Sequence, residues 1–192
     1  MKENQRITVT KRMLREGLLR LLKTKNLDKI HINELCEESG INRATFYRHY
    51  KSPQDVLMEL ELEFVKQVAP LTRRPQNVKE AEKQLENACA YVYDHADIAK
   101  ILFRCSTVEG LMRGINEFYC QFLELWKKES QFAPLDESVA RIVIALLGGG
   151  GYCLLRQWIL DDIPKTPQEI AAILCNVLRW PVPLDFLLAE DK

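Results

Sequence analysis

The segment SGINRATFYRHYKSPQD, residues 39–55, places three aromatic rings, two arginines, a histidine and a lysine between a glycine reversal and a strong helix start. Gly40 supplies the left-handed backbone that a sharp chain reversal needs, so Ser39-Gly40 ends the helix before it. That helix is short, about Ile32 to Glu38, with Leu35 and Cys36 turned inward. Asn42 then caps a further helix running to Tyr50. Ser52-Pro53-Gln54-Asp55 opens the next: serine caps, proline fits a first turn that needs no amide donor, and the acid three residues on reaches back.

Two short helices joined by a glycine turn make a helix-turn-helix, whose second helix is narrow enough for a DNA major groove. Helical spacing separates its faces. Phe46 and Tyr50, with Ile41, point back toward Leu35 and Cys36, whereas Arg43, Ala44, Tyr47, Arg48 and Lys51 share the opposite side. Arg43, at the helix start, carries a planar fork suited to the two acceptors of a guanine, and Ala44 admits close approach and a thymine methyl. Thr45, Tyr47, His49 and Lys51 suit phosphate contacts, which position without reading sequence. The amides around Ser52 to Gln54 are expected to offer one more phosphate site at a helix N-terminus.

Outward from this segment the chain reads as helix almost throughout. Val9, Met13, Leu14, Gly17, Leu18, Leu21 and Leu22 fall on one face of a helix from about Thr8 to Lys25. The helix opened at Ser52 is expected to reach Val68, and Pro70 to Gln76 is a boundary loop. Further helices are expected at about 78–94, 98–104, 107–129 and 136–160. The last opens with the capping box Thr166-Pro167-Gln168-Glu169 and carries Ile170, Ile173, Leu174, Val177 and Leu178 on one stripe. No segment alternates as a strand does. The expected fold is all-α with about nine helices: residues 8–68, holding the helix-turn-helix at 31–50, and a second helical domain at 69–192.

Net charge is zero over 192 residues, but residues 1–55 hold twelve Lys+Arg against seven Asp+Glu, and the remainder is acidic by the same margin. A basic DNA-facing head on an acidic body has that asymmetry. Six scattered cysteines without a CxxC pair read as reduced, mostly buried thiols, and Cys105 beside Arg104 is the one with any sensor character. No apolar run is expected to span a bilayer and the N-terminus lacks the core of a secretion signal, which suggests a cytoplasmic protein. His31, His49 and His95 have no metal-ligand spacing, and GxSxG, GxxxxGK[ST] and GxGxxG are absent, so neither a metal, a cofactor nor an enzyme is expected.

The glycines at 148–151 cost a helix about 3–4 kcal/mol relative to alanine. Close approach of another helix is the first explanation and a local helix break the second. A phosphate-cradling loop lacks both the following Lys-Ser or Lys-Thr and the preceding strand. The eighth and ninth helices have more apolar positions than one buried stripe needs. Gly148, Gly151, Leu155, Trp158, Ile170, Ile173, Leu174 and Val177 are therefore candidates for a four-helix interface between two copies.

KIHINELCEESGINRATFYRHYKSPQDVL, residues 29–57, resembles the DNA-binding domain of the TetR family of transcriptional regulators, over roughly 8–68. The resemblance implies a DNA contact from Asn33 and puts His31 where a capping threonine is usual. It places Thr45, Tyr47 and His49 on the family's T-x-Y-x-H pattern, followed by Lys51. Pro53 stands where many members have a phosphate-binding lysine. GGGGYCLLRQWILDDIPKTPQEIAAIL, residues 148–174, is similar to the family's C-terminal region, which dimerises. The resemblance further implies a repressor of a near-palindromic double-stranded operator, released by a small-molecule effector held among Tyr91, Phe103, Met112, Tyr119, Phe122, Trp126 and Tyr152. Ordinary core packing also explains those aromatic residues. The C-terminal half is similar too to regulators of dihydroxyacetone kinase operons, which use a protein coinducer. A helical interaction protein that binds no DNA is the remaining alternative.

Overall fold

A computed structural model describes residues 2–73, 75–105, 109–129 and 137–179. Within them lie nine α-helices and two short 3-10 turns, with no strand among the described residues. They are α1 (Lys2–Leu22), α2 (Ile32–Ser39), α3 (Arg43–Tyr47), α4 (Pro53–Val68), α5 (Val78–Asp94), α6 (Ala96–Cys105), α7 (Glu109–Glu129), α8 (Glu137–Leu160) and α9 (Pro167–Arg179). The described residues of Met1–Lys66 and Asp97–Val108 form one compact unit, and those of Gln67–Ala96 and Glu109–Lys192 a second. The chain leaves the first unit after α4 and returns to it for α6.

Leu14, Leu18, Leu35, Phe46 and Val56, all fully buried, form the centre of the first unit. α1 starts six residues earlier than its apolar spacing suggests, and Val9, expected on the inner face, is 46% exposed. It stops at Leu22 rather than Lys25, because the amides of Lys23 and Thr24 bond back only three residues, to Arg20 and Leu21. α1 and α2 approach at Gly17, where a Cβ would sit 3.0 Å from the Ser39 Cβ and 3.2 Å from its backbone. Ser39 is buried there with its hydroxyl donating to the Leu35 carbonyl at 2.6 Å, so it has no room to retreat. Gly17→Ala gains about 1 kcal/mol of helix propensity. It also forces overpacking of about 1–3 kcal/mol against backbone atoms that cannot yield. A net loss of up to about 2 kcal/mol is expected in urea unfolding; a more stable variant would contradict this packing.

In the second unit α5 packs on α7 and α9, and α8 on α7 and α9. α8 is unbroken through its four glycines. Gly148 lets the Asn116 carboxamide of α7 lie on the α8 backbone, and a Cβ on Gly151 would sit 2.9 Å from the Tyr119 hydroxyl. Gly149 and Gly150 face open space. The close approach expected at this run is thus made inside one chain, by two α7 side chains, at two of the four glycines. Contrary to expectation, one stretch, Arg141–Leu160 of α8, is long and apolar enough to cross a membrane by length and composition. Its Leu155, Trp158 and Ile159 are buried in the helical unit instead. The thiols divide evenly: Cys36, Cys89 and Cys175 are buried, Cys105 is half-buried, and Cys120 and Cys153 are exposed. Fewer are buried than the apolar segments around them suggested.

Both predicted capping boxes form. At α9 the Thr166 amide donates to Glu169 Oε2 at 2.8 Å, and the Glu169 amide to the Thr166 hydroxyl at 3.2 Å. Hydrogen bonds from Lys165 and from the Thr166 amide hold the Glu169 carboxyl down at about 2. A depressed folded-state value contributes stability above the unfolded value of about 4.3, and that contribution is lost as pH falls toward the folded value. Acid titration of unfolding should therefore steepen from about pH 4.3 downward. Glu169→Gln should flatten that part of the curve; an unchanged slope would remove the cap's role.

Candidate nucleic-acid interface

α2 ends at Gly40, whose φ of 67° is left-handed, and the Ile41 amide closes the turn onto the Cys36 carbonyl at 2.9 Å. Asn42 caps α3 by accepting from the Thr45 amide at 2.8 Å. His31 caps α2 by position without a side-chain bond. α3 is shorter than its sequence suggested, ending at Tyr47, because the His49 amide bonds three residues back to Phe46 at 2.9 Å. Phe46 and Tyr50 are buried with Leu35 and Cys36, as the spacing required, and Ile41 is half-buried.

The opposite face is open. Arg43, Ala44, Tyr47, Arg48 and Lys51 are exposed, Thr45 and His49 half-exposed, and Asn33 is exposed in the first turn of α2. The Arg43 guanidinium lies 5.9 Å from the centre of the Tyr47 ring, which itself meets Phe46 edge-on at 5.6 Å. Tyr47 is nonetheless 51% exposed. Arg48 donates to the Thr45 hydroxyl at 3.2 Å.

Charge is segregated in this unit. Lys11 and Arg15 pair with Glu59 and Glu63 of α4, Arg12 with Glu16, Arg20 with Glu38, and Lys25 with Glu34. No such pairing neutralises Arg43, Arg48 or Lys51 among the described residues. Arg43, Arg48 and Lys51 therefore remain available to a polyanion, on the side of α3 and its exit opposite the buried Phe46 and Tyr50.

One expected contact is already used in part. The Lys51 and Ser52 amides donate to the Asp55 carboxylate at 2.7 and 3.1 Å, and the Asp55 amide to the Ser52 hydroxyl at 3.3 Å. A carboxylate thus occupies the start of α4, where a phosphate site had been expected. The capping box that made the helix start legible is what fills it. Sequence reasoning missed the Glu59 cluster, since nothing in the α4 pattern says that its acid meets α1.

The remaining candidates lie in two places. Tyr119 and Phe122 are buried, and Tyr91, Met112 and Tyr152 half-buried, in the second unit. Phe103, expected beside them, belongs to α6 in the first unit, where it is buried. The Trp126 side chain lies outside those described, as does that of Leu178. Of the interface candidates, Gly148, Gly151, Leu155, Trp158, Ile170 and Leu174 are buried within one chain and have no surface left to share. Ile173 and Val177 are exposed at 40% and 45%, joined on α8 by Ile142 and Leu146 at 63% and 71%. Burial raises the Cys105 thiol more than Arg104 lowers it, which opposes the reactivity its neighbour suggested.

An all-α chain with a capped helix-turn-helix and an unpaired basic recognition face defines a DNA-binding regulator. A family model for the C-terminal region of transcriptional regulators, of TetR type, matches residues 79–179, more than half the chain. The chain belongs to the TetR family of transcriptional regulators. A TetR-family regulator from Syntrophomonas wolfei superposes with a TM-score of 0.66 at 16% identity, covering 95% of this chain and 98% of that one. PfmR from Thermus thermophilus gives 0.62 at 19%, covering 87% and 93%. DhaS, described as a dihydroxyacetone kinase operon activator, gives 0.61 at 12%, covering 91% and 97%. At such identities these likenesses establish the fold. A search of curated protein sequences finds no significant match.

Proposed function

We propose that the protein is a homodimeric repressor that reads a near-palindromic operator with α3 of each subunit and is released by a small molecule bound in its C-terminal body. The observation that carries this reading is the exposed basic face of α3: acids pair with Lys11, Arg12, Arg15 and Arg20 of α1, whereas the side chains of Arg43, Arg48 and Lys51 meet no acid among the described residues. Arg43 is the base-reading residue. Ala44 lies against the base edges, and Asn33, Thr45, Tyr47, Arg48, His49 and Lys51 contact the backbone.

A single helix-turn-helix covers too few base pairs for useful specificity, so two copies are needed at half-sites a helical turn or a multiple apart. Ile142 and Leu146 on α8 and Ile173 and Val177 on α9 supply the apolar seam that joins them. The body holds the effector among Tyr91, Met112, Tyr119, Phe122 and Tyr152. Regulation of this kind places the protein in the cytoplasm with its DNA.

Selection of duplexes from a randomised pool by the purified protein, followed by gel shift on its own upstream DNA, tests the reading. A split, symmetric motif is expected, and failure to enrich any sequence would refute it. Affinity should fall steeply with salt as phosphate counterions are displaced. Lys51→Ala should weaken all duplexes alike and reduce the slope of log affinity against log salt by about two, one for each subunit of a dimer. A slope equal to that of the unsubstituted protein would exclude Lys51 from the phosphate contacts. Native mass spectrometry separates the modes of control. A retained small molecule supports an effector, whereas a second polypeptide that co-purifies stoichiometrically and changes operator affinity would replace it with a protein coinducer. DhaS, of the same fold, is described as an activator, so the direction of regulation is settled by a reporter assay with and without the protein.

A further inference from the structure

We propose that Glu59 and the Tyr50 hydroxyl form a positioning device that fixes the roll of α3 within its unit, and that sequence discrimination depends on it. The inference rests on α3 being the helix that reads DNA.

α3 has five residues and one fully buried side chain, Phe46. A rod that short, held at one point, is free to turn about its anchor, and a small turn would misalign a planar fork that must meet two acceptors at once. The second anchor is Tyr50, one turn further on. Its amide bonds to the Phe46 carbonyl at 3.0 Å, and its ring is 5% exposed and tilted against Phe46 at 6.0 Å. Its hydroxyl donates to Glu59 Oε2 of α4 at 2.8 Å.

Glu59 is itself held from α1. Lys11 Nζ donates to its two oxygens at 2.9 and 3.1 Å, and Arg15 lies 3.8 Å away. Lys11 also sits 5.4 Å from the centre of the Tyr50 ring. The exit of α3 is thus tied through one carboxylate to both α1 and α4. Burial opposes ionisation of Glu59, but the hydrogen bonds from Lys11 and Tyr50 and the charges of Lys11 and Arg15 outweigh it, leaving the carboxyl below its ordinary range. Burial and then the bond to Glu59 push the Tyr50 phenol well above its ordinary value. Near neutrality the carboxylate can only accept, so the phenol donates and the bond has one polarity.

Core packing accounts for the ring and not for its hydroxyl, since phenylalanine would fill the same space without a polar atom to desolvate. The α1–α4 ion pairs would also persist without it. What the hydroxyl adds is a link between that frame and α3.

The test compares the full-length protein with Tyr50→Phe, Glu59→Ala and Glu59→Gln on two probes, a duplex that the unsubstituted protein selects from a random pool and an unselected duplex. Tyr50→Phe and Glu59→Ala should weaken the selected duplex about tenfold, as a misaligned bidentate contact does, with unselected binding changed by less than about twofold. Glu59→Gln, which keeps an acceptor oxygen for the phenol, should restore most of the discrimination. A Tyr50→Phe protein with undiminished preference overturns the proposal. So does an equal loss on both probes, because a merely structural defect lowers all binding together. An unsubstituted protein that selects no sequence overturns the DNA-reading assignment and this device with it.

Discussion

Arg43→Ala is expected to abolish most of the preference for operator over arbitrary duplex while leaving the grip on arbitrary duplex nearly intact. Arg43 is the first residue of α3, exposed, and bounded on its own helix by the Tyr47 ring 5.9 Å away. No acid of the described residues pairs with it, so no internal ion pair must be broken before it meets a base. A bidentate arginine–guanine contact is worth about 1–3 kcal/mol of discrimination. A dimer makes the contact twice at separated half-sites, where effects add, so about 2–6 kcal/mol of specificity is at stake. Arg43 also contributes charge, so a smaller loss on every duplex accompanies the change, one unit of charge in each subunit. The measurement is competitive binding of a selected operator against random duplex at fixed salt. A ratio equal to that of the unsubstituted protein would remove Arg43 from base reading, leaving Arg48 or Asn33 to be tested in its place. Lys51→Ala is the control, since it should move both affinities together.

Features set by local chemistry were readable from residues alone. The Gly40 reversal, the Asn42 cap and the two capping boxes each depend on groups three or four positions apart, and each forms as its residue types require. The division of this segment into a buried and an exposed face was equally legible, because helical spacing separates Phe46 and Tyr50 from Arg43, Tyr47 and Lys51. What escaped were relations between elements distant in sequence. Glu59 reads as one of several acids on an exposed stripe of α4, and only the fold brings Lys11 and Arg15 to it. The same capping logic that located α4 hid the fact that Asp55 would take up the Ser52 amide, one of those proposed for a phosphate. Apolar excess on α8 and α9 was visible as excess, but its division between a core shared within the chain and a face left over was not. Leu155 and Ile173 look alike in the pattern, and one is 6% exposed while the other is 40%.

That division makes the glycine run decisive. Gly151→Leu is expected to destabilise the second unit severely, whereas Gly150→Leu should leave one chain's stability intact and act on association. At Gly151 a single Cβ already comes within 2.9 Å of the Tyr119 hydroxyl, 3.2 Å of its ring and 3.4 Å of Leu174 Cδ2. Tyr119 is 2% exposed and Leu174 4%, so neither can swing aside without opening the core. The gain of about 1 kcal/mol from replacing a helical glycine is therefore overwhelmed, and a net loss of about 3 kcal/mol or more is expected. At Gly150 a Cβ meets nothing within 4 Å, so the propensity gain is unopposed in the isolated chain. Gly150 lies two turns along α8 from Ile142 and one from Leu146, on the exposed side proposed to meet a second copy. A leucine there would fill whatever space the partner helix needs. Thermal unfolding and sedimentation equilibrium separate the two positions: a lowered midpoint for Gly151→Leu, and for Gly150→Leu a dimer weakened in dilution with an unlowered monomer transition. Should Gly151→Leu melt normally, the Tyr119 contact is not holding α7 to α8. Should Gly150→Leu dimerise as before, the seam lies elsewhere than along this face of α8, and Ile173 and Val177 become the positions to substitute next.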